Sequence, residues 1–281
     1  MHWRTNGRGA FKAILIGAFL SAVAILALGY GSAQAQQPVN LCAGGTIPTT
    51  THCTFIPMIS TALDLTEFGA IPVMSGPLDR PAASHGDINL ALRGYVATTA
   101  TLELINIGGP TDTNAPQLAG LFSPPRLPAF SSAHHVYAWD WACQANGCRG
   151  EPIITPTVTL LGLATAPGEA LFIPTRSPQI YASGYKAMVL YAEAGRLTLV
   201  YTRDDTAAFG YVVHLENLNV NPNLVALYEQ MDAAGRSLLP ALHEGERLGS
   251  AIGGELLVAI RDTGTFMDPR SRKDWWMGYE E

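Results

Sequence analysis

Residues 253–269, with the sequence GGELLVAIRDTGTFMDP, constrain the fold more than any other stretch of the chain. An apolar run, 256–260, is followed by Arg261, a short Asp-Thr-Gly segment (262–264) and a second short run that ends before Asp268. Residues that tolerate positive φ between two β-prone runs predict a tight hairpin. A hairpin with such a long apolar arm indicates a fold built on β-strands.

The first 35 residues have the pattern of a secretory signal peptide. A basic start with Arg4, Arg8 and Lys12 precedes an apolar run over 14–28, and the small-residue site 33–35 follows. This order is typical of a cleaved export signal. A retained membrane anchor is the alternative, although the run is short for a membrane span. We therefore expect a secreted, periplasmic or cell-envelope protein that contacts the membrane only transiently, through this segment.

Charge and composition narrow the class of the mature protein. Without residues 1–35 the chain keeps 14 basic and 23 acidic side chains, a net charge of −9. That balance argues against nucleic acid as a partner. Glycine and proline are frequent, with 28 and 19 residues in the full chain, and the apolar runs after residue 35 are short. This composition predicts an all-β fold, mainly strands with one short helix.

All four cysteines follow the predicted signal peptide, so oxidation is expected. Cys143 and Cys148 enclose an Asn-Gly turn, which should bring their ends together. Pairing them leaves Cys42 with Cys53, inside an irregular, Pro- and Thr-rich lead-in over 36–67. A metal-binding role for these cysteines is the less favoured interpretation, because their spacing does not form a zinc knuckle.

Residues 68–155 predict a smaller β region ahead of a C-terminal core over 156–281. Apolar and polar residues alternate over 87–95 and over 100–107, which predicts two half-buried strands. The segment 122–130 contains three prolines and cannot be a central strand.

The segment HHVYAWDW, beginning at His134, allows two interpretations. His134, His135 and Asp140, joined in the fold by His214, would form a metal site for a relocated hydrolase. Against this, adjacent histidines in a strand point to opposite faces. The favoured interpretation is therefore an aromatic strand with polar ends.

Two features are expected in the C-terminal region. Residues 221–235 predict a helix, because Asn221 can cap its start, Pro222 suits the first helical position and Gly235 suits the stop. The tail, 270–281, contains Trp275 and Trp276. They could form an aromatic platform for a sugar, but we favour tryptophans packed on the core with the charged residues facing solvent.

The order of motifs over 156–269 resembles that of lysostaphin/LytM-type zinc endopeptidases. Residues 160–164 and 166–174 resemble the opening His-x-Gly-x-Asp and its glycine-rich continuation, and strands over 185–192 and 196–202 resemble the central β pair. The Tyr-x-His motif has two possible registers, which place Arg203 or His214 at the histidine. Residues 242–249 resemble the family's hairpin. Glu255 and Leu257 stand where the family has His-x-His.

The resemblance implies a barrel-sandwich hybrid core that has lost its chemistry. The zinc-ligand positions are Leu160, Ala164 and Leu257, none of which can bind a metal, so the resemblance implies no catalytic residue and no cofactor. It implies instead a non-catalytic envelope protein that binds peptidoglycan or a partner protein. The expected groove residues are Arg203, His214, Glu255 and Arg261. A relocated metal-dependent hydrolase and a structural, disulfide-stapled envelope protein are the alternatives.

Overall fold

The computed structural model describes residues 67–76 and 78–279. They belong to one unit, which spans Ser60–Glu281, so the expected boundary between 155 and 156 falls inside it. The predicted signal peptide, nearly all of the lead-in over 36–67, and the Cys42–Cys53 pair lie outside the described residues.

Antiparallel strands dominate the described part of the chain, which confirms the all-β prediction. The strands are β1 (Gly69–Pro72), β2 (Tyr95–Ala97), β3 (Phe130–Asp140), β4 (Cys148–Pro152), β5 (Leu160–Ala164), β6 (Ala170–Phe172), β7 (Tyr185–Glu193), β8 (Arg196–Val200), β9 (Tyr211–Glu216), β10 (Leu218–Val220), β11 (Leu238–His243), β12 (Arg247–Ala251), β13 (Glu255–Asp262) and β14 (Thr265–Met267). The helices are α1 (Leu90–Arg93), α2 (Pro222–Ala233) and α3 (Arg272–Trp275). Three short 3-10 turns are at Ala82–Ser84, Leu118–Leu121 and Ala182–Gly184.

The strands form two sheets. The larger has 11 strands with the order β1-β11-β7-β8-β9-β13-β5-β3-β2, while β14 pairs with β13 and β4 with β3. The smaller has the order β10-β12-β6. Both the 68–155 and the 156–281 regions contribute strands to the larger sheet. Its two edge strands, β1 and β2, both come from the 68–155 region.

Strand β13 has neighbours on both sides over most of its length. One side pairs with β9, while the other pairs first with β5 and then with β14. The turn between β13 and β14 has φ angles of 45° at Thr263 and 82° at Gly264. Two successive positive φ angles are those of a two-residue hairpin turn, which confirms the predicted hairpin.

Helix α2 and the Cys143–Cys148 disulfide also match the predictions. The Asn221 side chain accepts a hydrogen bond from the Asn223 amide, and Pro222 occupies the first turn of the helix. Cys143 and Cys148 are bonded, with Cα atoms 6.0 Å apart, at the tip of the β3–β4 hairpin.

The tail packs against the core, as the favoured interpretation of the sequence predicted. Trp275 and Trp276 are buried, and their indole N–H groups donate to the carbonyl oxygens of Asp268 and Pro269 at 2.9 and 2.8 Å. One expectation for this segment is wrong: Arg270 does not face solvent. It is buried and paired with both carboxylate oxygens of Asp268.

Two predicted strands are absent. Residues 87–95 contain α1 rather than a strand, because the Asn89 side chain caps a helical turn by accepting from the Ala91 amide. Residues 100–107 form no regular strand: Ile105 makes one isolated bridge to Ser271, and Leu102 is exposed. The segment 122–130 is irregular up to the first residue of β3, as its prolines predicted.

The prediction of a hairpin over 242–249 is also wrong. The turn is present, but β11 pairs with β7 in the larger sheet and β12 pairs with β6 and β10 in the smaller one. The turn therefore carries the chain between sheets instead of joining two paired strands.

One face of the larger sheet packs on the main core. Along β13 this face is lined by Leu256, Val258 and Ile260, which all belong to the large apolar cluster. Because side chains alternate along a strand, Glu255, Leu257, Ala259 and Arg261 lie on the opposite face. We call it the second face, and it contains the candidate site.

Candidate functional site on the second face of the sheet

A continuous row of residues crosses five strands on the second face. The pairing places Arg196 opposite Glu216, Glu216 opposite Leu257, Leu257 opposite Gly162, and Gly162 opposite Ser132. Directly paired residues have side chains on the same face. Charged, apolar and hydroxyl groups are therefore neighbours within one row.

One half of the second face is closed by apolar packing. We call this buried cluster the apolar plug; it consists of Leu90, Val136, Leu160, Leu257, Ala259 and Phe266. Residues 87–93 lie over it, since Thr198 donates to the Ile88 carbonyl at 2.7 Å and α1 supplies Leu90. Hairpin strand β14 supplies Phe266.

Two of the three positions that the resemblance assigns to zinc ligands lie in this plug. Leu257 pairs with Gly162, so Leu160 is its diagonal neighbour on the same face, roughly 7–8 Å away between Cα atoms. Ala164 lies in the same strand as Leu160, about 13 Å further along at ordinary strand rise. Ala164, opposite Glu255, is the diagonal neighbour of Leu257 on the other side of Gly162. Leu257 thus lies between the other two positions, which are far from each other.

The other half of the second face is polar and open. We call it the polar patch and define it by Tyr95, Ser131, Ser132, His134, Arg196, Glu216 and Glu255. Of these residues the sequence singled out only Glu255 as a groove residue, and His134 as a candidate metal ligand.

Glu255 is fixed at the patch by two hydroxyl groups. Ser131 and Ser132 donate to its Oε1 at 2.5 and 2.6 Å. A register shift between Phe130 and Ser132 lets both adjacent serines reach the same carboxylate. Gly162 lies beneath, and a Cβ there would collide with Glu255 Oε1 and Ser132 Oγ. The glycine therefore makes room for the carboxylate.

Glu216 is the buried carboxylate of the patch. It is 6% exposed, and burial raises its pKa, while the charge of Arg196 acts in the opposite direction. Arg196 also pairs with Glu193, which lies directly opposite it on β7. Its Nε lies 3.4 Å from Glu216 Oε1 but without hydrogen-bond geometry. One guanidinium thus serves two carboxylates, and Glu216 receives the weaker contact.

Tyr95 and His134 border the two carboxylates. Their rings pack edge to face with centroids 5.2 Å apart, and Tyr95 is 37% exposed. Burial and the charges of Glu216 and Glu255 raise the pKa of Tyr95. Burial lowers the pKa of His134, while Glu255 opposes that shift. Both side chains therefore lie close enough to Glu255 to respond to its charge.

His214 and Arg261 lie at the plug end of the second face. His214 pairs with Ala259 and Thr198, is 1% exposed, and stacks on the Phe266 ring at 6.3 Å. Burial and the nearby charges of Arg261 and Arg93 lower its pKa well below the usual range. The imidazole is therefore neutral.

The Arg261 guanidinium is enclosed in a structural cluster. It pairs with Asp87 at 2.9 Å and donates to the Gly264 carbonyl across the hairpin turn. Arg93 pairs with the same carboxylate, and both guanidinium groups lie over the Phe266 ring at 4.9 and 5.3 Å. Arg261 thus stabilises the cover of the plug rather than lining an open groove.

The structure does not bring the four expected groove residues together. Glu255 and Arg261 are at opposite ends of β13, and His214 is buried between them. Arg203 follows β8, donates to the Pro72 carbonyl at 2.9 and 3.1 Å, and lies over the Tyr181 ring. Of the two registers for the Tyr-x-His motif, only the one with His214 places its residue in a strand paired with β13.

The alternative metal site is not assembled. His134 and His135 alternate across β3, and His135 contacts the Thr157 carbonyl at 2.8 Å. Asp140 is at the end of the strand, where it caps the Ala142 amide, while His214 is buried in β9. Within 67–76 and 78–279, no group of three or more His, Cys, Asp or Glu residues could hold a metal ion.

Two open grooves lie elsewhere, beside the tail. One of about 370 Å³ is lined by Leu102, Phe130 and Tyr279, and another of about 590 Å³ by Thr111 and Met277; Arg272 borders both. The grooves have one carboxylate in their lining, Glu103, whereas Glu216 and Glu255 are neighbours in the polar patch, so we place the candidate site there.

Comparison with known proteins does not identify the chain: no family model, curated protein or solved structure matches it. The resemblance to lysostaphin-type domains therefore stays a prediction. In the described part of the chain, no helix has the length and hydropathy needed to cross a membrane.

Proposed function

We propose that this is an exported, non-catalytic protein of the cell envelope that binds peptidoglycan or an envelope partner protein through the polar patch. The observation that carries the proposal is the division of the second face. Leu160 and Leu257 are packed in the buried plug, while the open half beside them presents hydroxyl, imidazole and carboxylate groups.

The chemistry of the plug supports a binding role over hydrolysis. A zinc peptidase needs nitrogen or oxygen ligands around one ion and an open coordination position for water. Here the two adjacent positions are aliphatic, and the face above them is covered by residues 87–93 and β14. Aliphatic side chains packed under this cover offer no ligand to an ion, which supports the non-catalytic proposal.

Co-sedimentation with purified peptidoglycan sacculi tests the proposal. We expect the purified protein to pellet with sacculi and to release no soluble muropeptides, with or without added zinc. Replacing Glu255 with Ala should reduce pelleting, whereas Glu229→Ala, at an exposed position on α2, should not. Zinc-dependent release of muropeptides would overturn the proposal that the protein is non-catalytic.

A second arm covers a protein partner. A photo-crosslinking residue at Ser131, in the patch, should give a discrete envelope adduct in the producing cell. The same residue at Glu229 serves as the control. Absence of both sacculus binding and a Ser131-specific adduct would refute the proposed function.

A further inference from the structure

The polar patch carries more negative charge than its own residues neutralise. Arg196 pairs with Glu216 of the patch and with Glu193 beside it on β7, whereas Glu255 pairs with no cation among the described residues. The histidine beside them is held toward its neutral form because burial lowers its pKa. Glu193 takes the closer contact with Arg196, and Ser131 and Ser132 give Glu255 hydrogen bonds but no charge. The formal excess is two negative charges at one place on the surface.

Unsatisfied buried atoms are a second, separate observation at the same place. Glu216 Oε1, Arg196 Nε and His134 Nδ1 are each buried and lack a hydrogen-bond partner within the described residues. Glu216 is itself more than nine-tenths buried. Buried polar atoms in native proteins nearly always have a partner, so a group of exceptions indicates that something else completes the site.

The partner missing from Glu216 Oε1 must be a hydrogen-bond donor, since Arg196 Nε lies 3.4 Å away without hydrogen-bond geometry. The excess negative charge favours a donor with positive charge. Carboxylate oxygens of Glu216 and Glu255 only accept hydrogen bonds when ionised. A primary ammonium group supplies three donors and one charge, which suits two carboxylates that are diagonal neighbours on one face of the sheet. The exposed Tyr95 ring adds an aromatic face at the rim, and cations are attracted to such faces.

We propose that the polar patch binds a primary ammonium group, held between the carboxylates of Glu216 and Glu255 beside the Tyr95 ring. The inference rests on the proposed function in that it assigns the ligand chemistry of the same patch. Both a peptide side chain and an amino sugar can present this group, and the test separates the two sources.

Calorimetric titration of the full chain with small probes tests the inference. The amine probes are Nα-acetyl-lysine methylamide and glucosamine; their capped controls are Nα,Nε-diacetyl-lysine methylamide and N-acetylglucosamine. We expect at least one amine probe to bind and its acetylated form to bind at least about 10-fold more weakly, because acetylation removes the charge. The tighter of the two amines identifies the source.

Charge-removing variants locate the site. Glu216→Gln and Glu255→Gln each keep the size of the side chain and should weaken amine binding about 10-fold or more. Glu229→Gln should leave it within about 2-fold, and thermal melts of each variant check that the fold is retained. Equal binding of amine and acetylated probes, no binding of either amine, or unchanged affinity in both folded patch variants would overturn the inference.

The same preparations separate this inference from the proposed function. Sacculus binding or a Ser131 adduct without amine binding would refute only the ammonium site. Amine binding without either envelope interaction would refute the envelope function and leave the ammonium site standing.

Discussion

The apolar plug and the polar patch lie on the same face of the same strands, yet one half is sealed and the other is open. In β13 the division falls between Glu255 and Leu257, two residues apart on that face. In β5, Leu160 belongs to the plug, and Gly162 lies against Glu255 and Ser132 of the patch. The sheet is continuous across this line, so the strands themselves do not separate the two halves.

What differs is the cover. Residues 87–93 and β14 lie over one half and bury it, using the Asp87–Arg261 pair and the Phe266 ring. The other half has no such cover among the described residues, and its side chains are charged or hydroxylic. Buried polar groups without partners are costly, so the polarity of a sheet position here follows from whether something packs over it.

The largest expected effect tests the plug. Leu257→Ala should lower the free energy of unfolding by about 2–5 kcal/mol, since it leaves a cavity in packed surroundings. Urea denaturation measures the change. The matched control is Leu102→Ala, because Leu102 is 40% exposed and should lose much less. Equal losses at both positions would show that the plug is not a packed core.

A smaller effect is expected at the boundary between plug and patch. Gly162→Ala places a methyl group against Glu255 Oε1 and Ser132 Oγ and should cost about 1–3 kcal/mol in unfolding free energy. Gly150→Ala is the control, since a Cβ there meets only ordinary contacts. Removing the Glu255 side chain in the Gly162→Ala background should recover part of the loss. No recovery would mean that the strain lies in the backbone instead.

The boundary also shows which parts of the fold the sequence could predict. The β13–β14 hairpin and helix α2 were predictable because short local signals, Asp-Thr-Gly and Asn221-Pro222, determine them. The alternation over 87–95 was interpreted as a strand. In the structure one helical turn buries Leu90 while Asp87 and Arg93 pair, a result that depends on the distant Arg261.

The site was less predictable than the fold. Ser131 and Ser132 reach Glu255 only because a register shift in β3 aims both at one carboxylate, and a shift of that kind leaves no mark in the residue pattern. Glu216 did leave a signal, since it is an acidic residue ending the apolar run of β9. Its role depends on pairing with Arg196, which a single sequence does not reveal.

A third prediction concerns acid stability at the plug end. The pKa of His214 is lowered by burial and by Arg261 and Arg93, with Asp87 opposing them, so the folded protein keeps His214 neutral below the ordinary pKa near 6.5. The unfolded chain binds that proton and the folded one does not. Stability should therefore fall by about 1.4 kcal/mol per pH unit as pH decreases below about 6.5, until the lowered pKa is reached.

The variant His214→Gln isolates this contribution. Glutamine can keep a hydrogen bond to Thr198 Oγ1, which lies 3.0 Å from His214 Nδ1, but it does not titrate. Urea midpoints of both proteins between pH 7.5 and 5 provide the measurement. The difference between the two curves should change with pH only below about 6.5. Parallel curves throughout would contradict a neutral, buried imidazole.

The smallest expected effect concerns Glu216 in the polar patch, where stability should fall as pH rises instead of as pH falls. Burial raises the pKa of Glu216, so this side chain contributes to the stability of the fold when it is a neutral acid. That contribution is complete below the ordinary value near 4.5 and is lost as pH rises through the raised pKa. At pH 7 the carboxylate is thus a cost, and Glu216→Gln should raise the free energy of unfolding by up to about 1 kcal/mol. Glu229→Gln should change it by no more than about 0.5 kcal/mol.

This gain in stability should come with a loss of binding. If Glu216 is kept for a cationic ligand, the variant that stabilises the folded protein at pH 7 is the same one that weakens amine affinity, a trade-off common at functional sites. Thermal melts and titrations on one preparation of Glu216→Gln measure both quantities. A variant that is less stable than the parent would show that the Arg196 contact at 3.4 Å already satisfies Glu216. The patch would then resemble the plug in being complete without a ligand.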